Sequence, residues 1–216
     1  MKQKTVKLFQ VRPGEHFIHD GVEYVKLDEA AGATFALGVE ATLKNVQFES
    51  DDAEREDHNN YIGSNLEREG IRWLREQHPD TFDAVVERPI DLTTMDGMTD
   101  YGMPTVTVRA LTIDEYRKYR KFIPLASKPY WLATGWTTKS SPPSDADLAY
   151  CVRTGGSVYY SNVSYPNFAA RPALYLKSSI LVSVDAEEAE KVLADYTDSD
   201  LIDELYRRRR ATYDPD

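Results

Sequence analysis

The hydrophobic and polar positions change period several times along the chain, and each change predicts an element. Residues 5–12 and Val22–Leu27 carry strand-forming residues around Pro13-Gly14 and Asp20-Gly21, the latter a good hairpin turn signal. Residues 33–48 mix apolar and polar positions and offer a further strand. Residues 49–57, ESDDAERED, then form an acidic run without an apolar anchor, which reads as a solvated loop. A helix is expected over 64–77. Ser64 and Glu67 have capping-box spacing, and Leu66, Gly70, Trp73 and Leu74 fall on one face. His78-Pro79 ends it, because proline disfavours helical backbone in the residue before it. Phe82 to Leu92 reads as extended, Asp96-Gly97 as a turn, and Thr105 to Leu111 alternates like a strand.

The second helix is expected over 112–123. Thr112 and Glu115 form a capping box, and Leu111 and Tyr116 have the spacing of a hydrophobic staple. Tyr116, Tyr119 and Ile123 share a side, Pro124 stops the helix, and Arg117, Lys118, Arg120 and Lys121 form a basic stripe that reads as a solvated face. Tyr130–Thr134 then reads as a strand and Gly135–Asp147 as a loop. Tyr150–Arg153 and Ser157–Tyr160 form a hairpin about Thr154-Gly155-Gly156. An irregular stretch, Ser161–Phe168, precedes strand-like Arg171–Leu176. After Ser183 the pattern turns helical, with Asp185 and Glu188 as caps and Arg207–Arg210 complementing the dipole of a final helix. Hence an α+β fold is expected: two helices on twisted, mostly antiparallel sheets over 1–184, followed by a helical tail over 185–216.

Charge and composition narrow the function. A formal net charge of −10 disfavours general nucleic-acid binding. The start, MKQKTVKLFQ, has no apolar core of signal-peptide length, and no apolar run reaches the roughly 20 residues of a membrane span. A cytoplasmic or virion-associated protein without membrane insertion is the expectation. Tyr is abundant, 14 against 7 Phe and 3 Trp, and many of the tyrosines stand among Ser, Asn and Gly. That is the composition of binding loops, and equally of half-buried positions in a β-rich fold.

Catalytic and metal signatures are thin. Cys151 is the single cysteine, which rules out an internal disulfide and a cysteine zinc cluster; within a strand it reads as a buried thiol. His16 and His19 lack a clear third metal ligand, and the 49–57 run lacks the glycine of an EF-hand turn. No nucleophile elbow, phosphate loop, zinc helix or dinucleotide fingerprint occurs. No catalytic residue, cofactor or metal site is assigned.

Five ordered segments carry a resemblance: YIGSNLEREGIRWL at 61–74, LTIDEYRKYRKFIP at 111–124, YWLAT at 130–134, YCVRTGGSVYY at 150–160 and ARPALYL at 170–176. Together they resemble a domain of unassigned function widespread in bacterial and phage proteins. Its layout is similar to C-type-lectin-like folds, the group of formylglycine-generating-enzyme-like domains and of the variable proteins of diversity-generating retroelements. The resemblance implies neither cysteine-pair oxidase chemistry, for which one cysteine is too few, nor calcium-dependent sugar binding, for which Tyr165-Pro166-Asn167 lacks the carboxylate or amide before proline. Ala133 stands where the domain usually has Arg.

Retroelement variable proteins display Tyr, Asn, Ser and Asp on a surface near the C-terminus, and Tyr159–Phe168 (YYSNVSYPNF) has that composition and place. The expected function is therefore a ligand- or protein-binding module, with a protein or glycan partner. Its surface would be built from Trp136, Tyr150, Tyr159, Tyr160, Asn162, Ser164, Tyr165, Asn167 and Phe168. Core packing of these tyrosines is the competing reading. The alternatives in function are a phage structural or assembly protein that self-associates through its C-terminal helices, and an enzyme with Trp131, Trp136 and Tyr150 around a small-molecule pocket.

Overall fold

The computed structural model describes residues 3–186. The chain opens with β1 (Gln3–Lys7), β2 (His16–His19), β3 (Val22–Ala30), β4 (Ala33–Gly38) and the short β5 (Leu43–Lys44). Two helices follow, α1 (Asn65–Gln77) and α2 (Pro79–Ala84), then the two-residue strands β6 (Arg88–Pro89) and β7 (Thr105–Val106), and helix α3 (Ile113–Tyr119). The rest is strand: β8 (Tyr130–Gly135), β9 (Leu148–Val152), β10 (Val158–Asn162), β11 (Ala169–Ala170), β12 (Ala173–Lys177) and β13 (Leu181–Asp185). A six-stranded sheet runs in the order β1-β13-β2-β3-β4-β12, and a five-stranded sheet in the order β10-β9-β8-β11-β5. All pairings are antiparallel except the one between β11 and β8. The fold is mixed α+β, as the pattern implied.

Alternation along the strands sorts the apolar side chains into three cores. Tyr130, Leu132, Tyr150 and Val152 leave one face of the five-stranded sheet to pack with Val25, Phe35 and Leu37 of the larger sheet and with Tyr116 and Tyr119 of α3. Trp131, Ala133, Ala149 and Cys151 leave the other face to meet Phe48, Tyr61 and Leu66. The far face of the larger sheet packs Leu174, Leu176 and Val182 against Trp73 and Leu74 of α1. Trp73, Leu74, Tyr116, Trp131, Val152 and Leu174 are buried, as a core assignment requires.

The caps act as their spacing predicts, with one variation. Thr112 Oγ1 accepts from Glu115 N–H (3.2 Å) while the Glu115 carboxylate accepts from Thr112 N–H (3.0 Å). At α1 only half the box forms: Ser64 Oγ accepts from Glu67 N–H (3.1 Å), but the Glu67 carboxylate takes Gly63 N–H instead (2.7 Å). Midway along α1, a Cβ on Gly70 would stand 3.3 Å from Val108, so the glycine lets the helix sit close to that residue.

Four expectations are corrected. Phe82 lies in α2, because Pro79 fits the first turn of a helix, where its missing N–H costs nothing. The helix expected to Ile123 is α-helical to Tyr119 and tightens to a 3-10 turn over Arg120–Phe122. The helical pattern expected after Ser183 begins later, because β13 runs to Asp185, which pairs with Gln3 of β1, and Ala186 is the first helical residue. The remaining tail residues, 187–216, lie outside the described residues, Arg207–Arg210 among them. Lastly, the acidic run is not wholly solvated: Glu49 is buried, 3.0 Å from Arg55 Nε and 3.3 Å from Arg68 Nη2. No helix of the described residues is long and apolar enough to cross a membrane.

Candidate functional site

Two extra residues place the most prominent surface feature. Pairing of β8 with β9 jumps from Trp131↔Cys151 to Gly135↔Ala149, four steps on one strand against two on the other. The bulged residues are held by the start of α3, since Ala133 N–H donates to Leu111 C=O (2.8 Å) and Ile113 N–H to Thr134 Oγ1 (3.0 Å). A bulge re-aims the side chains that follow it. Here it delivers Trp136 onto Tyr150, with ring centroids 5.6 Å apart, and onto Tyr160 at 4.4 Å. Tyr160 pairs directly with Tyr150 across β9 and β10, so both rings share a face. Tyr159 starts from the opposite face, yet its ring stacks on Tyr160 at 5.0 Å and an interplanar angle of 5°. The Arg153 guanidinium covers Tyr159 at 4.0 Å. A continuous ladder results, running from buried Tyr150 through half-buried Trp136 to exposed Tyr160 and Tyr159 (37% and 46%).

Asn59 locks the base of this ladder. It is fully buried, and its Nδ2 donates to Thr137 C=O (2.9 Å), next to Trp136 in the chain, and to Leu148 C=O (2.7 Å), which also accepts Trp136 N–H (2.9 Å). Its Oδ1 accepts from the Tyr101 hydroxyl (2.7 Å). Gly135 is required here, because a Cβ would approach Asn59 Cγ to 2.9 Å. We expect Asn59→Ala to strand the Thr137 carbonyl and the Tyr101 phenol, while the Leu148 carbonyl keeps Trp136 N–H (2.9 Å), and to lower the unfolding free energy by about 2 kcal/mol. Urea denaturation with Trp fluorescence checks this, and a change below about 0.5 kcal/mol would contradict it.

The expected site residues divide into three groups. Trp136, Tyr159 and Tyr160 form the ladder's accessible part, while Tyr150 is buried support. Asn162 and Ser164 shape the turn: Asn162 Oδ1 accepts from Ser164 N–H (3.0 Å) and Ser164 Oγ (2.8 Å), and Gln47 donates to Ser164 C=O (2.6 Å). Tyr165 (57% exposed) and Asn167 project from that turn, but Phe168 turns inward onto Trp131 at 4.2 Å. Phe168 is therefore a half-buried core contact, unlike the exposed Tyr165 and Asn167 of the same turn. The pocket imagined around Trp131, Trp136 and Tyr150 does not form, because alternation sends fully buried Trp131 through the opposite face of the sheet.

The other candidate groups are engaged elsewhere. His16 and His19 are three apart on strand β2 and so leave on opposite faces; His16 Nδ1 meets Glu23 at 2.8 Å. Among the described residues no group of three or more His, Cys, Asp and Glu is arranged to hold a metal ion. Burial pushes the Cys151 thiol up to about 12. Since the thiolate is the reactive form, the folded protein should leave Cys151 unlabelled by a disulfide reagent at pH 8, with one equivalent reacting in 6 M guanidinium. Rapid labelling of the native chain would contradict its burial. Compared with models of protein families, with curated proteins and with solved structures, the chain matches none of them.

Proposed function

We propose that this chain is a recognition module whose contact surface is the Trp136–Tyr160–Tyr159 ladder with the neighbouring Tyr165 turn, and that its layout is of the C-type-lectin-like kind. One observation carries the reading: three aromatic rings in contact stand at the edge of a sheet, Tyr159 stacked on Tyr160 and Trp136 tilted against it, held by a bulge and a buried amide, with two of them exposed. Stacked, pre-positioned aromatics offer large contact area at low entropic cost, which suits binding. A protein or glycan ligand fits this chemistry. The reading does not depend on Phe168 or Tyr150 touching the ligand.

The test is a parallel screen of the wild-type chain, Tyr159→Ala, Tyr160→Ala and Tyr165→Ala on glycan and octapeptide arrays. Ligands of the wild type should bind Tyr159→Ala and Tyr160→Ala at least about tenfold more weakly, a loss of roughly 1.4 kcal/mol. Thermal stability of Tyr159→Ala and Tyr165→Ala should barely move, because exposed substitutions usually fall within about 0.5 kcal/mol. Ligands indifferent to all three changes, or a large loss of stability with binding intact, would refute the proposal.

A further inference from the structure

Strand β10 ends its sheet, and its outer edge has none of the usual protection. Arg153 N–H donates to Ser157 C=O and Val163 N–H to Asp147 C=O, each at 2.9 Å. Antiparallel bonding alternates, so Tyr159 and Ser161 turn their backbone groups to β9. Val158, Tyr160 and Asn162 therefore turn theirs outward. The Asn162 carbonyl takes Tyr165 N–H (3.1 Å), while the N–H and C=O of Val158 and Tyr160 meet no backbone partner among the described residues. Natural edges are blunted by charges, prolines or bulges. Edge strand β1 of the larger sheet carries exposed Lys4 and Lys7, whereas β10 reads VYYSN, without charge, proline or bulge.

Cations flank this bare edge although the whole chain is acidic. Arg153 is the single charge between Leu148 and Asn162, and it stands over Tyr159. Arg120 lies against Gly156 in the hairpin turn, stacked on Tyr116, whose hydroxyl donates to Gly156 C=O (2.6 Å). Arg117 is close enough to Tyr150 for its charge to act on the phenol, and its partner Asp114 (3.1 Å) is a surface carboxylate. Asp147, at the far end of β9, faces His58 at 2.6 Å.

We propose, building on the recognition reading of the aromatic ladder, that the β10 edge accepts an extended acidic peptide as a sixth strand of the five-stranded sheet. Main-chain bonds to Val158 and Tyr160 supply the alignment. Alternate side chains of the peptide lie beside the ladder on one face and Tyr159 on the other, and its carboxylates meet Arg153, Arg120 and Arg117. A second copy of the chain fits less well, because two such edges would bring Arg153 against Arg153. Single-stranded nucleic acid would use the rings and cations but leave the backbone edge unused.

The test titrates the full chain, by Trp fluorescence and calorimetry, with Ac-(Val-Glu)4-NH2, Ac-(Val-Lys)4-NH2 and ten-residue oligothymidylate. The acidic peptide should bind at least about tenfold more tightly than the lysine peptide. N-methylation of one of its two alternate sets of amides should abolish binding. Val158→Pro, which removes an outward N–H, and Arg153→Glu should each weaken it severalfold. No binding of the acidic peptide at millimolar concentration, binding indifferent to N-methylation of either set, or tighter binding of the oligonucleotide would overturn strand addition. Dimerisation of the free chain that Val158→Pro abolishes would overturn it in favour of a second copy. A glycan that binds through Tyr160 while Val158→Pro changes nothing would also overturn strand addition and leave the aromatic recognition surface standing. Peptide binding lost in Val158→Pro but intact in Tyr160→Ala would keep strand addition and remove the aromatic reading.

Discussion

Trp131→Ala should lower the unfolding free energy by about 4 kcal/mol, a large part of the 5–15 kcal/mol that holds an ordinary domain. Trp131 has no exposed surface and lies in the middle of its sheet, with β9 on one side and β11 on the other. Its ring meets Phe48 edge-on at 5.8 Å and Phe168 at 4.2 Å, and its Nε1–H donates to Val46 C=O at 2.8 Å. Truncation would open a cavity between Phe48 and Phe168 and leave that carbonyl without its donor. The Trp131→Phe variant separates the two contributions: it keeps most of the packing and loses the hydrogen bond, so about 1–2 kcal/mol should go. Guanidinium denaturation followed by circular dichroism measures both. A loss below about 2 kcal/mol for Trp131→Ala would mean that the core facing Phe48 can collapse around the gap. The variant also tests the site, because Phe168 anchors the turn carrying Tyr165 and Asn167. Binding through Tyr165 should weaken even though Trp131 is remote from solvent.

The sequence made some of this plain and hid the rest for identifiable reasons. Helices α1 and α3 announced themselves through side chains that cap their own backbones, Ser64 and Thr112, since a cap is local chemistry. The β9–β10 hairpin was equally legible, because Gly156 takes a φ of +80° that suits glycine. Proline was ambiguous: Pro79 both stops α1 and starts α2, and only packing of Thr81 and Ala84 decides the second role. Val182 and Val184 alternate over too short a span to compete with the helical pattern that follows, and pairing with β1 is a long-range fact.

The site was half legible. Tyr-rich composition pointed to β10, but composition does not say which face a ring takes. That division came from register, which set Tyr160 with Tyr150 and Trp131 against both. Asn59 gave no signal at all, standing in a polar loop beside another asparagine, and its role exists only once Thr137 and Leu148 have been brought to it. The bulge that aims Trp136 is likewise invisible in a strand reading of YWLAT. Sequence therefore named the aromatic residues of the surface, while tertiary contacts decided which of them face outward.

Arg171 shows the same gap for the motif Arg-Pro-Ala-Leu, whose arginine the pattern placed at the start of a strand without a task. It is almost completely buried, and no carboxylate stands within ion-pair distance of it among the described residues. Instead its Nε donates to Gly38 C=O (2.6 Å) at the end of β4 and its Nη1 to Pro124 C=O (3.0 Å) after α3, with the guanidinium over Tyr130 of β8 at 5.2 Å. One side chain thus ties the larger sheet, the smaller sheet and the segment leading to Leu125, which touches the hairpin turn at Gly156. Burial pushes its pKa down, which is the mark of a desolvated cation, so its charge is a cost that these hydrogen bonds must exceed. Arg171→Met keeps the stem and removes both the charge and the donors. Two carbonyls then lose their partners at about 1–3 kcal/mol each, offset by the relief of desolvation, for a net loss of about 3 kcal/mol. For a domain of this size that corresponds to a fall in Tm of roughly 6–12 °C. Arg171→Lys retains a charge but lacks the fork that reaches two carbonyls at once, and should lose nearly as much. Differential scanning calorimetry of the three proteins reads the effect. Should Arg171→Met melt at or above the wild type, the buried cation would be a liability to stability, and its place in the motif would need a reason other than holding the sheets together.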